Sequence, residues 1–296
     1  MTATRLSGCG TALVTPFDPS GGIDEAALRA LVDWQIEEGI HFLVPCGSTG
    51  EAATMTIEEH SRAVKIVVDQ ARGRVPIVAG AGSNDTQRAI ALSKAMRDAG
   101  ATHLLHTSPM YNKPPQRGIV AHYRAIAEAV DLPIVVYNVP GRTASNIEAK
   151  TTLEISKIPG ITAVKEASGQ LSQIADIIRG RAPEFSVLSG DDEITLPVMA
   201  LGGDGIISVI SNATPKLMSQ LCEKMLAGDV VAARQIHYTL LPFMRAAFVE
   251  SNPMPVKAAL SMMGRLQNVV RLPLVPLADA HNAAVRSALV AAGAMQ

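Results

Sequence analysis

Between Gly160 and Gly169 the chain reads Gly-Ile-Thr-Ala-Val-Lys-Glu-Ala-Ser-Gly, and Lys165 stands where a buried strand would carry another Val or Ile. Lysine is rarely fully buried, because a desolvated ammonium is costly. The same cost lowers its pKa, and the neutral amine is the form that attacks a carbonyl carbon to give a Schiff base. A structural ion pair with Glu166 or another carboxylate is the competing reading of Lys165.

Other stretches carry residues suited to the same chemistry. Gly47-Ser48-Thr49-Gly50-Glu51 frames two hydroxyls with glycines, so backbone N–H groups and side-chain O–H groups can converge on an anion, a carboxylate as well as a phosphate. A plain strand-to-helix turn, with Ser48 or Thr49 as N-cap, explains it equally well. No Lys-Ser/Thr pair follows, so a nucleotide P-loop is not indicated. Tyr137 ends the apolar run Ile134-Val135-Val136, where a phenol either relays protons or serves as an amphipathic core residue. Arg142, in a Pro-Gly turn five residues on, suits bidentate binding of a carboxylate, or a surface ion pair. His103 and His106 share a strand without a carboxylate at metal-ligand spacing, which argues against a metal-dependent aldolase.

The elements that must position these residues alternate along the chain. Strand-like runs fall at Gly10–Thr15, Phe42–Cys46, Val75–Ala79, His103–Thr107, Pro133–Asn138, Ile161–Glu166, Phe185–Ser189 and Gly205–Val209. Helical periodicity fills the gaps, and Gly39 and Gly100 sit where left-handed C-terminal caps belong. Eight such units without a linker predict a (β/α)8 TIM barrel, with an open doubly wound sheet as the other solution. Helices are expected over Thr214–Gly228, Val230–Glu250, Met254–Gly264 and Leu277–Ala292. The last three lack a partner strand, so the expected division is a barrel over 1–228 and a C-terminal helical extension over 229–296. In barrels of this kind, chemistry sits at the C-terminal strand ends. The residues singled out above lie there, as do Gly190-Asp191-Asp192, Ser208 and Asn212.

The totals narrow the partners. A formal net charge of −1 over 296 residues carries no basic signature for nucleic acid. No apolar run reaches the length of a membrane span, and Met1–Gly10 does not read as a signal peptide. The three cysteines are odd in number without metal spacing, and Cys46 reads as a buried thiol; together these features predict a cytoplasmic protein.

Taken together, Gly47–Glu51, Pro109-Met110-Tyr111-Asn112-Lys113-Pro114, Tyr137–Thr143, Val164–Ala167, Leu188–Asp192 and Gly205–Val209 resemble the successive signatures of the dihydrodipicolinate synthase / N-acetylneuraminate lyase family. The resemblance covers essentially the whole chain. Asn-Val-Pro-Gly-Arg-Thr around Arg142 and Asn252-Pro253-x-Pro255-Val256-Lys257 are most similar to the synthase branch. It implies a lyase without cofactor or metal that condenses pyruvate with L-aspartate 4-semialdehyde on the way to diaminopimelate and lysine. Lys165 would form the imine, with Tyr137, Tyr111 and one of Ser48 or Thr49 relaying protons. Ser48 and Thr49 would hold the pyruvate carboxylate, Arg142 the carboxylate of the aldehyde, and carbonyls near Gly190 and Ile207 would line the pocket. It implies a homotetramer in which Tyr111 reaches the neighbouring subunit's site. It also implies weak or absent inhibition by lysine, since Ile57, Arg88 and Met110 replace the polar, acidic and aromatic residues of lysine-sensitive members. Two alternatives stand beside this: a 2-keto-3-deoxy-sugar-acid aldolase of the same family, and a non-catalytic keto-acid-binding barrel.

Overall fold

The structure, a computed structural model, describes residues 5–295. Its strands are β1 (Gly8–Ala12), β2 (Phe42–Val44), β3 (Val78–Gly80), β4 (His103–Thr107), β5 (Ile134–Asn138), β6 (Ile161–Glu166), β7 (Ser186–Ser189) and β8 (Gly205–Ser208). They form one parallel sheet in the order β2-β1-β8-β7-β6-β5-β4-β3. Its two edges meet at a parallel bridge between Leu43 and Ile77, flanked by Leu43 N–H donating to the Pro76 carbonyl and Gly80 N–H to the Pro45 carbonyl, each at 3.0 Å.

Parallel neighbours need a crossover, and helices supply it. They are α1 (Glu25–Glu37), α2 (Ile57–Ala71), α3 (Thr86–Asp98), α4 (Gln116–Ala129), the single turn α5 (Pro140–Thr143), α6 (Ala149–Ile155), α7 (Leu171–Gly180), α8 (Thr195–Ala200) and α9 (Pro215–Leu226). Three more follow: α10 (Val230–Ala246), α11 (Met254–Met262) and α12 (Asp279–Ala291). This is the (β/α)8 barrel with C-terminal helices that the alternation predicts.

Local chemistry explains the boundaries. Asp24 caps α1 by accepting from Ala27 N–H, and Thr56 and Glu59 close a capping box at α2. Gly39 and Gly100 adopt φ of 89° and 96° directly after α1 and α3, as the caps require. The third strand departs most from the sequence reading. The run beginning at Val75 pairs only from the Ile77 bridge onward, with β3 itself starting at Val78, because Pro76 has no N–H to donate.

Strand parity sorts the side chains. Val135, Tyr137 and Ala163 belong to the apolar cluster inside the barrel, whereas Ile134, Val136 and Val164 pack outward against the helices. Residues of α10, α11 and α12 share a third cluster with β1, α1 and α9, so the C-terminal helices and the barrel have a continuous core. Leu240 and Phe243 of α10 are fully buried in it, and each such side chain contributes roughly 1.5–3 kcal/mol. Among the described residues no helix is long and apolar enough to cross a membrane.

Candidate active site

Lys165 shares its parity with Ala163 and therefore points inward from the C-terminal end of β6. It is 5% exposed, and its Nζ lies 4.2 Å from the centre of the Tyr137 ring, on the paired strand β5. Burial draws its pKa down to about 7; Asp192 pulls it up, and Arg142 pushes it further down. Glu166 faces the other way. Its carboxylate accepts from Asn138 Nδ2 at 3.0 Å, Ser168 N–H at 2.6 Å and Gln173 Nε2 at 3.3 Å. A structural Lys165–Glu166 pair is therefore not what the fold builds.

A second buried lysine supplies the contrast. Lys257 of α11 is fully enclosed, donates to Glu51 at 2.5 Å and to the Val269 carbonyl at 2.7 Å, and lies 4.3 Å from the centre of the Phe17 ring. It has the structural partner that Lys165 lacks.

Lys165 opens into a cavity of about 410 Å³ at the C-terminal ends of the strands. Gly47, Ser48, Thr49, Tyr137, Arg142, Lys165 and Gly190 all line it, so the C-terminal ends of β2, β5, β6 and β7 bring these expected residues together. Gly190 is required there: a Cβ would come within 2.7 Å of Ala167 Cβ and 3.0 Å of Lys165 Cε. Two expected residues lie elsewhere. Ile207 belongs to the apolar cluster within the barrel, and Val209 takes the wall on that side. Tyr111 is 88% exposed with φ of 71°, outside this chain's own cavity.

The phenol of Tyr137 is 6% exposed, and burial pushes its pKa to about 12, with Arg142 opposing and Asp191 reinforcing the rise. It keeps its proton at neutral pH, which suits relaying over standing as a free base. Asp192 is buried, with its pKa raised to about 6 by desolvation, and it accepts from Ser208 Oγ at 2.5 Å and Val209 N–H at 3.0 Å. Those bonds fix a negative field beneath the amine.

The sequence reading missed the roof of the cavity. Met244, Arg245 and Phe248, in and just beyond α10, and Asn252 also line it. Arg245 is tied to Glu193 by two bonds of 3.0 and 2.8 Å. Asn252, which the sequence marks only as the first residue of the Asn-Pro-x-Pro-Val-Lys motif, donates from Nδ2 to Thr49 Oγ1 at 2.8 Å, and its carbonyl accepts from Arg142 Nη2 at 3.4 Å. No local periodicity marks such a residue. Its role depends on a contact 203 positions away in sequence.

Comparison with known proteins agrees with this geometry. Residues 5–292 match the Dihydrodipicolinate synthetase family. The 4-hydroxy-tetrahydrodipicolinate synthase of Koribacter versatilis (strain Ellin345) is 51% identical, over 99% of this chain and 98% of that relative. The chloride-inhibited dihydrodipicolinate synthase of Acinetobacter baumannii, solved with pyruvate, is 42% identical over 99% of this chain and 100% of that one, with a TM-score of 0.97. The synthase (DHDPS) of Cyanidioschyzon merolae, solved with lysine bound, is 39% identical over 98% and 99% of the two chains, with a TM-score of 0.95. With its motifs, its barrel and its matched length in agreement, the chain belongs to the dihydrodipicolinate synthetase family.

Proposed function

We propose that the chain carries out the 4-hydroxy-tetrahydrodipicolinate synthase reaction, condensing pyruvate with L-aspartate 4-semialdehyde through a Schiff base on Lys165. The observation that carries this is the inward-facing amine of Lys165, desolvated and without a carboxylate in contact, at the floor of the cavity. The names of the relatives support the same reaction.

The neutral amine attacks the keto carbon of pyruvate, and water leaves to give the imine. The imine makes the methyl group acidic, and its proton passes through the Tyr137 hydroxyl to Ser48 or Thr49 as the enamine forms. The enamine carbon attacks the aldehyde carbon, and the same relay returns a proton to the new alkoxide. The amine of the second substrate then closes the ring on the imine carbon and frees Lys165. Ser48 and Thr49 hold the pyruvate carboxylate, Arg142 holds that of the aldehyde, and the wall at Gly190 keeps room for the lysine stem; Ile207 supports the pocket from below.

A homotetramer belongs to the same reading, supported by Tyr111: an aromatic ring left 88% exposed beside the site suits insertion into a neighbouring subunit, where it would complete the relay. A cytoplasmic location is supported by three cysteines that are all free and buried, with the Cys46 thiol pushed up to about 12 by burial. Borohydride reduction in the presence of pyruvate, followed by peptide mass mapping, tests the mechanism. A reduced pyruvyl group on Lys165 is expected, with both the adduct and turnover lost in Lys165→Ala; labelling at Lys257, or none, would refute it.

A further inference from the structure

We propose that Asn252 is a specificity residue: its side-chain carbonyl oxygen, beside Arg142, receives the α-ammonium group of the aldehyde substrate. The inference rests on the reaction proposed above and concerns how the second substrate is chosen.

Asn252 is 5% exposed and lines the cavity. Two of its polar groups engage the site's machinery. Nδ2 donates to Thr49 Oγ1 at 2.8 Å, and the backbone carbonyl accepts from Arg142 Nη2 at 3.4 Å. Oδ1, however, is buried without a hydrogen-bond partner. A buried acceptor left unmade is costly, so its presence in a cavity wall points to a donor delivered by a ligand.

The substrate's geometry supplies one. In an α-amino acid the carboxylate and the ammonium sit on the same carbon. A carboxylate held by Arg142 therefore brings the ammonium to whatever lies next to Arg142, and Asn252 is hydrogen-bonded to it. The other acceptors of the cavity are less suitable. Glu193 is engaged by Arg245 at 3.0 and 2.8 Å, and one oxygen of Asp191 accepts Glu193 N–H at 3.0 Å.

A neutral acceptor also fits the later chemistry. Ring closure needs the amine nitrogen to attack the imine carbon while the bond to Lys165 breaks and a proton passes from the ammonium to the lysine nitrogen. A carboxylate partner would stabilise the ammonium and retard that step, whereas an amide carbonyl orients it without an opposing charge.

The test compares L-aspartate 4-semialdehyde with succinate semialdehyde, which has the same aldehyde and carboxylate but hydrogen in place of the amine. KM for the first and Ki for the second are measured in the native enzyme, Asn252→Ala and Asn252→Asp, with borohydride trapping at Lys165 reporting pocket integrity. Asn252→Ala is expected to raise KM for the amino aldehyde roughly ten-fold or more while leaving Ki for succinate semialdehyde essentially unchanged. Asn252→Asp, which retains an oxygen acceptor, is expected to keep the preference for the aminated compound. Equal losses for both compounds in both variants would overturn the proposal, because Asn252 would then act only by supporting Thr49 and Arg142. Collapse of the preference in Asp191→Asn, with Asn252→Ala retaining it, would overturn it in favour of Asp191. Failure of the native enzyme to trap pyruvate at all would instead remove the reaction on which the proposal stands.

Discussion

Lys165 and Lys257 are both withdrawn from water, and what separates them is the company each keeps. Lys257 lies against Glu51, and its pKa of about 8 leaves it largely charged at neutrality. Lys165, at about 7, is neutral in about half the molecules at that pH. The rate of pyruvate trapping should therefore rise with pH through about 7, because deprotonation of Lys165 creates the nucleophile. Two substitutions should move that midpoint in opposite directions. Asp192 holds the Lys165 pKa up, so Asp192→Asn lowers the midpoint; Arg142 pushes it down, so Arg142→Ala raises it. Trapping rates across a pH series check both signs, and a common direction would refute the field described here. Arg142→Ala should also weaken the aldehyde substrate far more than pyruvate, since losing a charge-assisted contact costs about 1.5–3 kcal/mol, or roughly 10- to 150-fold in KM. An equal effect on both substrates would make Arg142 structural. Of these residues the sequence made Lys165 and Arg142 legible through type and setting, whereas the field from Asp192 depends on a strand pairing that no local pattern displays.

At the scale of elements, the Gly47–Glu51 loop is fastened to the C-terminal helices at two points. Thr49 meets Asn252, and Glu51 meets both Lys257 and the Arg271 backbone N–H, the latter at 2.9 Å. Glu51 adopts φ of 57°, a left-handed conformation, with its carboxylate held by Lys257 and Arg271. Removing one partner of a buried ion pair leaves the other uncompensated, at a cost of about 3–5 kcal/mol. Lys257→Met should therefore lower the thermal midpoint markedly while leaving Lys165 as the residue that traps pyruvate. A melting curve within a degree or so of the native one would refute the fastening. Sequence periodicity located the strands because alternate residues must face different cores, as Tyr137 and Val136 do. It placed the caps because Gly39 and Gly100 are among the few residues able to adopt their angles without strain. It could not foresee that α10 roofs the cavity, since the apolar spacing of a helix sets its buried stripe but not what the opposite side overhangs.

At the scale of the whole molecule, sensitivity to lysine is decided by the residues at the start of α2 and α3. The relative from Cyanidioschyzon merolae was solved with lysine bound, and by resemblance Ile57, Arg88 and Met110 stand where lysine-sensitive members carry polar, acidic and aromatic residues. Here that region is poorly equipped for a cationic amino acid. Ile57 is 39% exposed and offers no polar group. His60 is buried with Nε2 2.9 Å from the Gly80 carbonyl, and desolvation holds its pKa at about 4, so it is neutral and committed inward. Arg88 is exposed on the first turn of α3, where its backbone N–H donates to Asp85 Oδ1 at 2.7 Å. A ligand ammonium brought to this surface would meet another cation where it needs a counter-ion, and a desolvated charge without one is strongly disfavoured. Initial rates at saturating pyruvate should therefore change little on adding millimolar lysine. Arg88→Glu, which supplies the missing charge on an exposed helix position, should increase sensitivity without altering pyruvate trapping. Strong, saturable inhibition of the native enzyme would show that Arg88 turns away from the ligand and that the remaining residues suffice to bind it.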